Sequence, residues 1–295
     1  MKKLLTPTAS SLALAATLLV SGQAQAAVQT WQWSFTDNAC GSTNNSICNG
    51  DSANNYGDTW TQDSTAGNGP DTTVRGWSST GDVPNDDTLE TARLQHYGSN
   101  GMGVVNREEL LGDVPDHAFG DSSTPTGDTF DNMDAVVFSF TEEITLDYVR
   151  FGWWSGDYDF SLLAWTGAGA PGDLTGDTYA GLVNGGGWSL IGHYYDSEST
   201  SIGSDVQFDV NDGDVSSSYY MLSVLNPELN SGSCTSASRT CVPDGYGGND
   251  FFKLHTIGGY THDNPPPPPP GVPVPATALL FLAALPLLRM RRKQA

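Results

Sequence analysis

The sequence predicts an all-β protein: one antiparallel β-sandwich domain, jelly-roll-like, set between an N-terminal signal peptide and a C-terminal hydrophobic sorting helix. Three observations predict it. Apolar residues alternate in short runs: Trp31, Trp33, Phe35; Val136, Phe138, Phe140; Ile144, Leu146, Tyr148; and Val206, Phe208, Val210. That is the two-residue period of strands with one buried face. Clusters of Gly, Asp, Asn and Ser suited to turns separate the runs. No long stretch keeps helical spacing, and 107–111 has room for one turn only. Many short strands with turn-rich gaps pack as two antiparallel sheets.

The first element along the chain is a leader. Lys2 and Lys3 precede an apolar run from Leu12 to Val20, which is followed by Ala24-Gln25-Ala26. Charged, hydrophobic and small-residue regions in that order make a secretory signal peptide over 1–26, cut by signal peptidase after Ala26. The apolar run is short beside the ~20 residues that span a bilayer, which speaks against a retained anchor.

The domain follows over 27–260, long enough to bury roughly 70% of its unfolded surface around one core. Besides the alternating runs, strands are expected at Thr72–Trp77, Thr88–Tyr97, Asp157–Trp165, Trp188–Tyr195, Tyr219–Leu225 and Phe251–Ile257. Between Ile144 and Trp154 the apolar parity switches, so a β-bulge is expected near Tyr148 to Arg150. Trp153 and Trp154 are then expected to be buried, one in each layer. Hexaproline, Pro265 to Pro270, makes 261–271 an extended spacer of about 3.1 Å per residue.

Charge excludes one class of partner. Of 12 basic residues two open the chain and four nearly close it; the stretch between holds the remaining six against all 34 carboxylates, a balance of −28. Nucleic acid is bound by clustered cations that release counterions, and this field has the opposite sign.

The four cysteines of an exported chain favour disulfides. Cys40 and Cys48 lie close in sequence, as do Cys234 and Cys241. Two local bridges are expected, Cys40 to Cys48 and Cys234 to Cys241, out of three possible pairings, each contributing about 2.5 kcal/mol on a chain-entropy estimate. Neither spacing is that of a zinc site.

Catalytic motifs are missing: there is no Gly-x-Ser-x-Gly elbow, no His-Glu-x-x-His and no phosphate-cradling loop. His96, His117, His193, His255 and His262 are scattered singly, without an expected partner. Glu108 with Glu109, and Glu142 with Glu143, are adjacent, and neighbours on a strand face opposite sides, a poor acid and base couple. The chain is therefore expected not to be an enzyme and to need no cofactor except, on one reading, calcium. Asp157 and Asp159 point the same way on one strand, while Asp209, Asn211, Asp212 and Asp214 crowd a loop around Gly213. Hard oxygen ligands at such spacing suit calcium. Gly245 to Asp250 resembles one broken nonapeptide calcium repeat. Solvated acidic turns that keep the protein soluble are the plainer alternative.

The C-terminal end carries the most specific signal. Val272-Pro273-Val274-Pro275-Ala276-Thr277 leads into an apolar stretch from Ala278 to Leu288, closed by Arg289, Met290, Arg291, Arg292 and Lys293. From Val272 to Leu288 the segment is just long enough to cross a bilayer, and its cations favour the cytoplasmic side. Over 272–295 the arrangement resembles the PEP-CTERM sorting signal of Gram-negative bacteria, with Val274 where the commonest form has Glu. The resemblance implies recognition by the membrane peptidase exosortase, transient inner-membrane anchoring, and removal of the tail. A permanent anchor is the alternative.

Within the domain, Gly101 to Asn106, Asp116-His117-Ala118, Asp131 to Ala135, Phe151-Gly152-Trp153, Asp157-Tyr158-Asp159, Trp188 to His193 and Asp250 to Leu254 are similar to exosortase-dependent surface proteins. Phe119 to Phe130 intervene where that family brings Asp-Asn soon after His-Ala. The resemblance implies a surface or matrix location and no defined activity. The expectation is a noncatalytic cell-surface or extracellular-matrix protein associated with exopolysaccharide or biofilm. The alternatives are a calcium-assisted carbohydrate-binding module, with Trp60, Trp77, Trp154 and Trp165 as candidate sugar platforms, and a glycan hydrolase.

Overall fold

The computed structural model describes residues 28–36, 46–47, 56–79, 88–107, 118–120, 133–195, 201–229 and 250–262. The first part of the chain supplies β1 (Val28–Ser34), β2 (Ser46–Ile47), β3 (Thr59–Gln62), β4 (Thr72–Ser79), β5 (Leu89–His96), β6 (Met102–Val105) and β7 (Phe119–Gly120). Then come β8 (Asp134–Gly156), β9 (Phe160–Trp165), β10 (Trp188–Tyr194), β11 (Ser201–Gly203), β12 (Val206–Asp209), β13 (Ser216–Val224) and β14 (Phe251–His262). One short helix, α1 (Tyr179–Val183), interrupts the connection between β9 and β10. Its first turn is capped by Thr178, whose Oγ1 accepts from the Gly181 N–H at 3.0 Å.

The alternating runs that begin at Val136 and Ile144 form a single strand. Thr141, Glu142 and Glu143 between them are exposed and include no Gly or Pro, so nothing turns the chain. The 23-residue β8 organises the fold. Its first part, Asp134–Phe140, lies between β4 and β13, and its later part, Thr145–Trp154, pairs with β14 on one side and with β12 and β11 on the other. The pairings β8–β4, β4–β5, β5–β6, β6–β14 and β14–β8 close a circuit, while β9 and β10 continue outward from β13. All are antiparallel. The protein is predominantly β, with a sheet of barrel or sandwich type. Among the described residues, no helix is long and apolar enough to cross a membrane.

The inner faces carry large rings. Trp33 meets Phe140 at 4.8 Å, and Phe35 packs on Trp60 and Phe138. Beneath the later part of β8, Phe151 stacks on Phe252 at 4.2 Å and meets Phe160 edge-on at 5.2 Å. Pairs of this kind contribute about 0.5–1.5 kcal/mol each beyond the area they bury.

Two expectations are corrected and one is met. The bulge expected near Tyr148 to Arg150 is there: against β14 the register shifts between Tyr148, paired with Gly258, and Leu146, paired with Gly259, which leaves out Asp147, and again between Arg150, paired with Thr256, and Phe151, paired with Leu254. Leu146 and Val149 can then both be buried, with exposed Asp147 and half-buried Tyr148 between them. Trp153 and Trp154 are half-buried, not buried. Lys253 Nζ sits 4.6 Å from the Trp153 ring, and Trp154 packs edge-on against Tyr158 at 4.9 Å. Finally, Thr261 and His262 belong to β14, paired with Gln29 and Val28, so a spacer cannot begin at residue 261. Gly258-Gly259, just beyond the strand expected over Phe251–Ile257, lies within β14. A Cβ on Gly258 would overlap the Tyr148 ring, and one on Gly259 would come within 2.5 Å of the Thr145 carbonyl oxygen.

Candidate functional site

The best-formed cluster of chemically useful side chains lies where β8 gives way to β9. Gly156, at φ +81°, turns the chain out of β8, and Asp157-Tyr158-Asp159 lead into Phe160. Asp250 stands immediately before β14 and forms a parallel bridge with Asp157. The Phe251 N–H donates to the Asp157 carbonyl oxygen and the Leu225 N–H to that of Asp159, each at 3.0 Å, so the backbone of three segments fixes the cluster.

The carboxylates of Asp157, Asp159 and Asp250 each offer an oxygen within 4.8 Å of the others, at residue exposures of 9, 2 and 2%. Asp250 Oδ1 accepts from the Asp159 N–H at 2.9 Å, and Asp157 Oδ1 from the Tyr158 N–H at 2.9 Å. Oxygens bound to one calcium at about 2.3–2.6 Å sit at most about 5 Å apart, so the spacing fits a single hard cation. Three buried carboxylates this close repel one another when ionised, and a cation would offset that repulsion. Asp157 and Asp159 therefore gather as expected, although they lie in a connection rather than within a strand. Their third partner, Asp250, ends the stretch from Gly245 that resembles one broken nonapeptide calcium repeat in sequence.

The other expected ligands do not join them. Among the described residues, Asp157, Asp159 and Asp250 are the one group of three with this convergence. Asn211 is 2% exposed and spends its side chain on the turn: Nδ2 donates to the carbonyls of Leu146 at 3.1 Å and Val215 at 2.9 Å, and Oδ1 accepts from the Val215 N–H at 3.0 Å. Asn211 and Asp214 hold left-handed backbone at φ +62° and +51°. Asp214 accepts from the Tyr260 hydroxyl at 2.7 Å, and that bond to a carboxylate raises the Tyr260 pKa. Asp209 and Asp212 are exposed. The segment is a built turn, with the Asn211 amide committed to the backbone.

Histidines that sequence leaves solitary have partners. His193 Nδ1 lies 2.8 Å from Ser161 Oγ, with both residues 0% exposed, and Ser161 Oγ also accepts from the Asn226 N–H. His96 Nε2 is 3.0 Å from the Thr36 carbonyl oxygen. His255 Nδ1 lies 2.6 Å from Thr256 Oγ1; burial lowers its pKa first, and the Arg150 charge lowers it further. The Ser161–His193 contact puts a hydroxyl beside an imidazole, but neither residue reaches the surface.

Of the proposed sugar platforms, Trp60 is 2% exposed and packed in the core, Trp77 is equally buried, and Trp154 and Trp165 are half-buried. The cysteines 40, 48, 234 and 241, the leader with Ala26, and the tail residues Val272, Pro273, Pro275, Ala276, Arg289, Arg291 and Arg292 lie outside the described residues, as do His117, Glu108 and Glu109. Comparison with protein-family models, with curated proteins and with solved structures finds no match.

Proposed function

We propose that this chain is an exported, noncatalytic surface or matrix protein associated with exopolysaccharide. Signal peptidase removes 1–26, exosortase acts on 272–295 at the inner membrane, and the proline-rich stretch after His262 separates the β domain from the processing site. The tail carries the reading: prolines at 273 and 275, an apolar segment, then Arg289, Arg291 and Arg292. The domain's own geometry is compatible with removal of both ends. Val28 and His262 are Cα partners across β1 and β14, so the two ends of the described domain lie side by side. The local bridges Cys40–Cys48 and Cys234–Cys241 belong to the same oxidising destination. The test is fractionation of cells with and without exosortase, followed by mass spectrometry of the mature C-terminus. Truncation near Ala276 only where exosortase is present supports the proposal; an intact tail embedded in wild-type membranes overturns it.

A second reading, a calcium-assisted carbohydrate-binding module, is favoured by the convergence of Asp157, Asp159 and Asp250. Calcium at 100 times its dissociation constant would stabilise the fold by about 2.7 kcal/mol, roughly 5–11 °C in melting temperature for a domain of this size. EGTA should reverse the shift, and Asp250→Asn should abolish it. Superimposable melting curves in calcium and in EGTA would remove the reading.

A further inference from the structure

The sheet has several edge strands, and they are not guarded alike. An edge offers unpaired N–H and C=O groups to any other strand, and proteins blunt such edges with charge, proline, bulges or brevity. β10 carries a bulge between Leu190 and Gly192. β12 is framed by exposed Asp205, at φ +69°, and exposed Asp209. β3 is four residues long, flanked by Asp58 and Asp63. β1 has none of these devices. Its seven residues pair with β14 without a register shift, and neither a charge nor a proline stands between Ala27 and Thr36. Val28, Gln29 and Thr30 are exposed, and Val28, at 55%, is one of two large apolar residues exposed among the described residues.

The direction of the backbone groups follows from the ladder. The Gln32 carbonyl points away from β14, accepting from the Thr65 N–H at 2.8 Å and the Thr65 hydroxyl at 2.9 Å. The Phe35 N–H points towards β14 and donates to the His255 carbonyl oxygen at 2.8 Å. Backbone groups alternate along an antiparallel pair, so those of Val28 and Thr30 also face away from β14. Among the described residues, β14 is the one strand that pairs with β1. Thr65 closes the edge at Gln32 and leaves it open from Val28 to Thr30.

Removal of 1–26, on which this inference rests, leaves only Ala27 ahead of β1, too little chain to fold back over the edge. A second copy of β1 fits it, reversed across a two-fold axis. Placing Thr30 opposite Thr30 would set Val28 against the Gln32 carbonyl, which Thr65 already occupies. Placing Val28 opposite Val28 would set Thr30 against a removed residue. Val28 opposite Thr30 avoids both: it forms four N–H to C=O bonds, and each chain ends at Ala27, opposite Trp31 and one residue short of Gln32.

We propose that processed chains pair through β1 in this register, joining two sheets edge to edge. The contact is far smaller than the roughly 800 Å² per partner of a stable dimer, so the pairing is weak and forms where chains are concentrated. Sedimentation of a chain beginning at Ala27, which keeps every described residue, should show concentration-dependent dimers. Added salt should strengthen them by screening repulsion between the acidic domains. Thr30→Pro removes an N–H that β14 does not use, so the variant should fold as wild type and dimerise at least about tenfold more weakly. Val28→Lys should also weaken the dimer, while Ile202→Lys, at the other exposed apolar residue, should leave it unchanged. Gln29 faces Gln29 of the second copy at about 4.5 Å between Cα atoms, within disulfide reach. Gln29→Cys should therefore cross-link two chains on oxidation, beyond wild type treated alike, and Gln32→Cys should not. Retaining Gln23 to Ala26 should weaken the pairing, since Ala26 would meet Thr65. Mass spectrometry of the N-terminus of chains taken from cells checks the removal of 1–26 by itself, so failure of the leader reading and failure of the pairing are told apart. Monomers at every concentration, undiminished dimers in folded Thr30→Pro or Val28→Lys protein, or dimers that Gln29→Cys does not cross-link would overturn the proposal.

Discussion

Replacing Asn211 by Ala should cost about 4 kcal/mol of stability, and the parts of that figure can be separated. The substitution deletes three hydrogen bonds between the side chain and the backbone of Leu146 and Val215. The Val215 carbonyl keeps another donor, the Tyr220 hydroxyl at 2.6 Å, so the larger losses fall on the Leu146 carbonyl and the Val215 N–H. Two backbone groups deprived of partners cost about 1–2 kcal/mol each. Alanine held at φ +62° adds about 1 kcal/mol, a cost that Asn211→Gly avoids. Urea unfolding of the protein reads the result directly: with an m-value of about 3 kcal/mol/M, the midpoint of the Ala variant falls by more than 1 M and that of Gly by somewhat less. Asn211→Asp separates the built turn from a ligand loop. In the turn, a carboxylate faces two carbonyl oxygens that had received N–H donors, so the variant should be no more stable than Ala, with or without calcium. An Ala variant within 1 kcal/mol of wild type, or an Asp variant rescued by calcium, would refute the account.

Gly101→Ala should destabilise by about 3 kcal/mol or more by urea unfolding, because a Cβ at φ +98° would overlap the Leu254 carbonyl beside the Leu254–Met102 bridge that joins β6 to β14. Gly172→Ala, without positive φ and with open space around its Cβ, should change stability little or raise it by up to about 1 kcal/mol in the same assay. His255 predicts the sign of a pH effect. Its folded pKa lies below the ordinary 6.5, so the unfolded chain binds more protons; its contribution is whole above about pH 6.5 and is lost as the pH falls through that value towards the folded pKa. The urea midpoint should drop between pH 7.5 and 5.5, and His255→Gln should flatten the drop; a profile unaltered by the substitution would assign the effect elsewhere.

The strands with one buried face were legible because burial on one side writes a two-residue alternation into the sequence. β6 was not, since Met102, Gly103, Val104 and Val105 are all buried and leave no alternation to read. Gly258-Gly259 looked like the end of a strand, because composition records the missing side chains but not the Tyr148 ring and Thr145 carbonyl that take their place. The same division holds at the carboxylate cluster. Asp157 and Asp159 are neighbours in sequence, but Asp250 lies 91 residues beyond Asp159 and is brought in by strand order alone. At Asn211 composition misled: an Asn among aspartates suggests a ligand, while its amide is committed to the backbone. Trp60 misled similarly, since a large ring in a polar neighbourhood suggests a platform, yet it is packed edge-on against Phe35 inside.

The antiparallel seating of β14 bears on mechanics. From Thr256 to Tyr260 this strand has β1 on one flank and β8 on the other. Tension applied at His262 along the strand axis must therefore shear both ladders together instead of unzipping one bond at a time. A passenger tethered through this terminus would hold its shape under drag, whereas the same pull at Val28 would load β1, for which β14 is the one partner strand among the described residues.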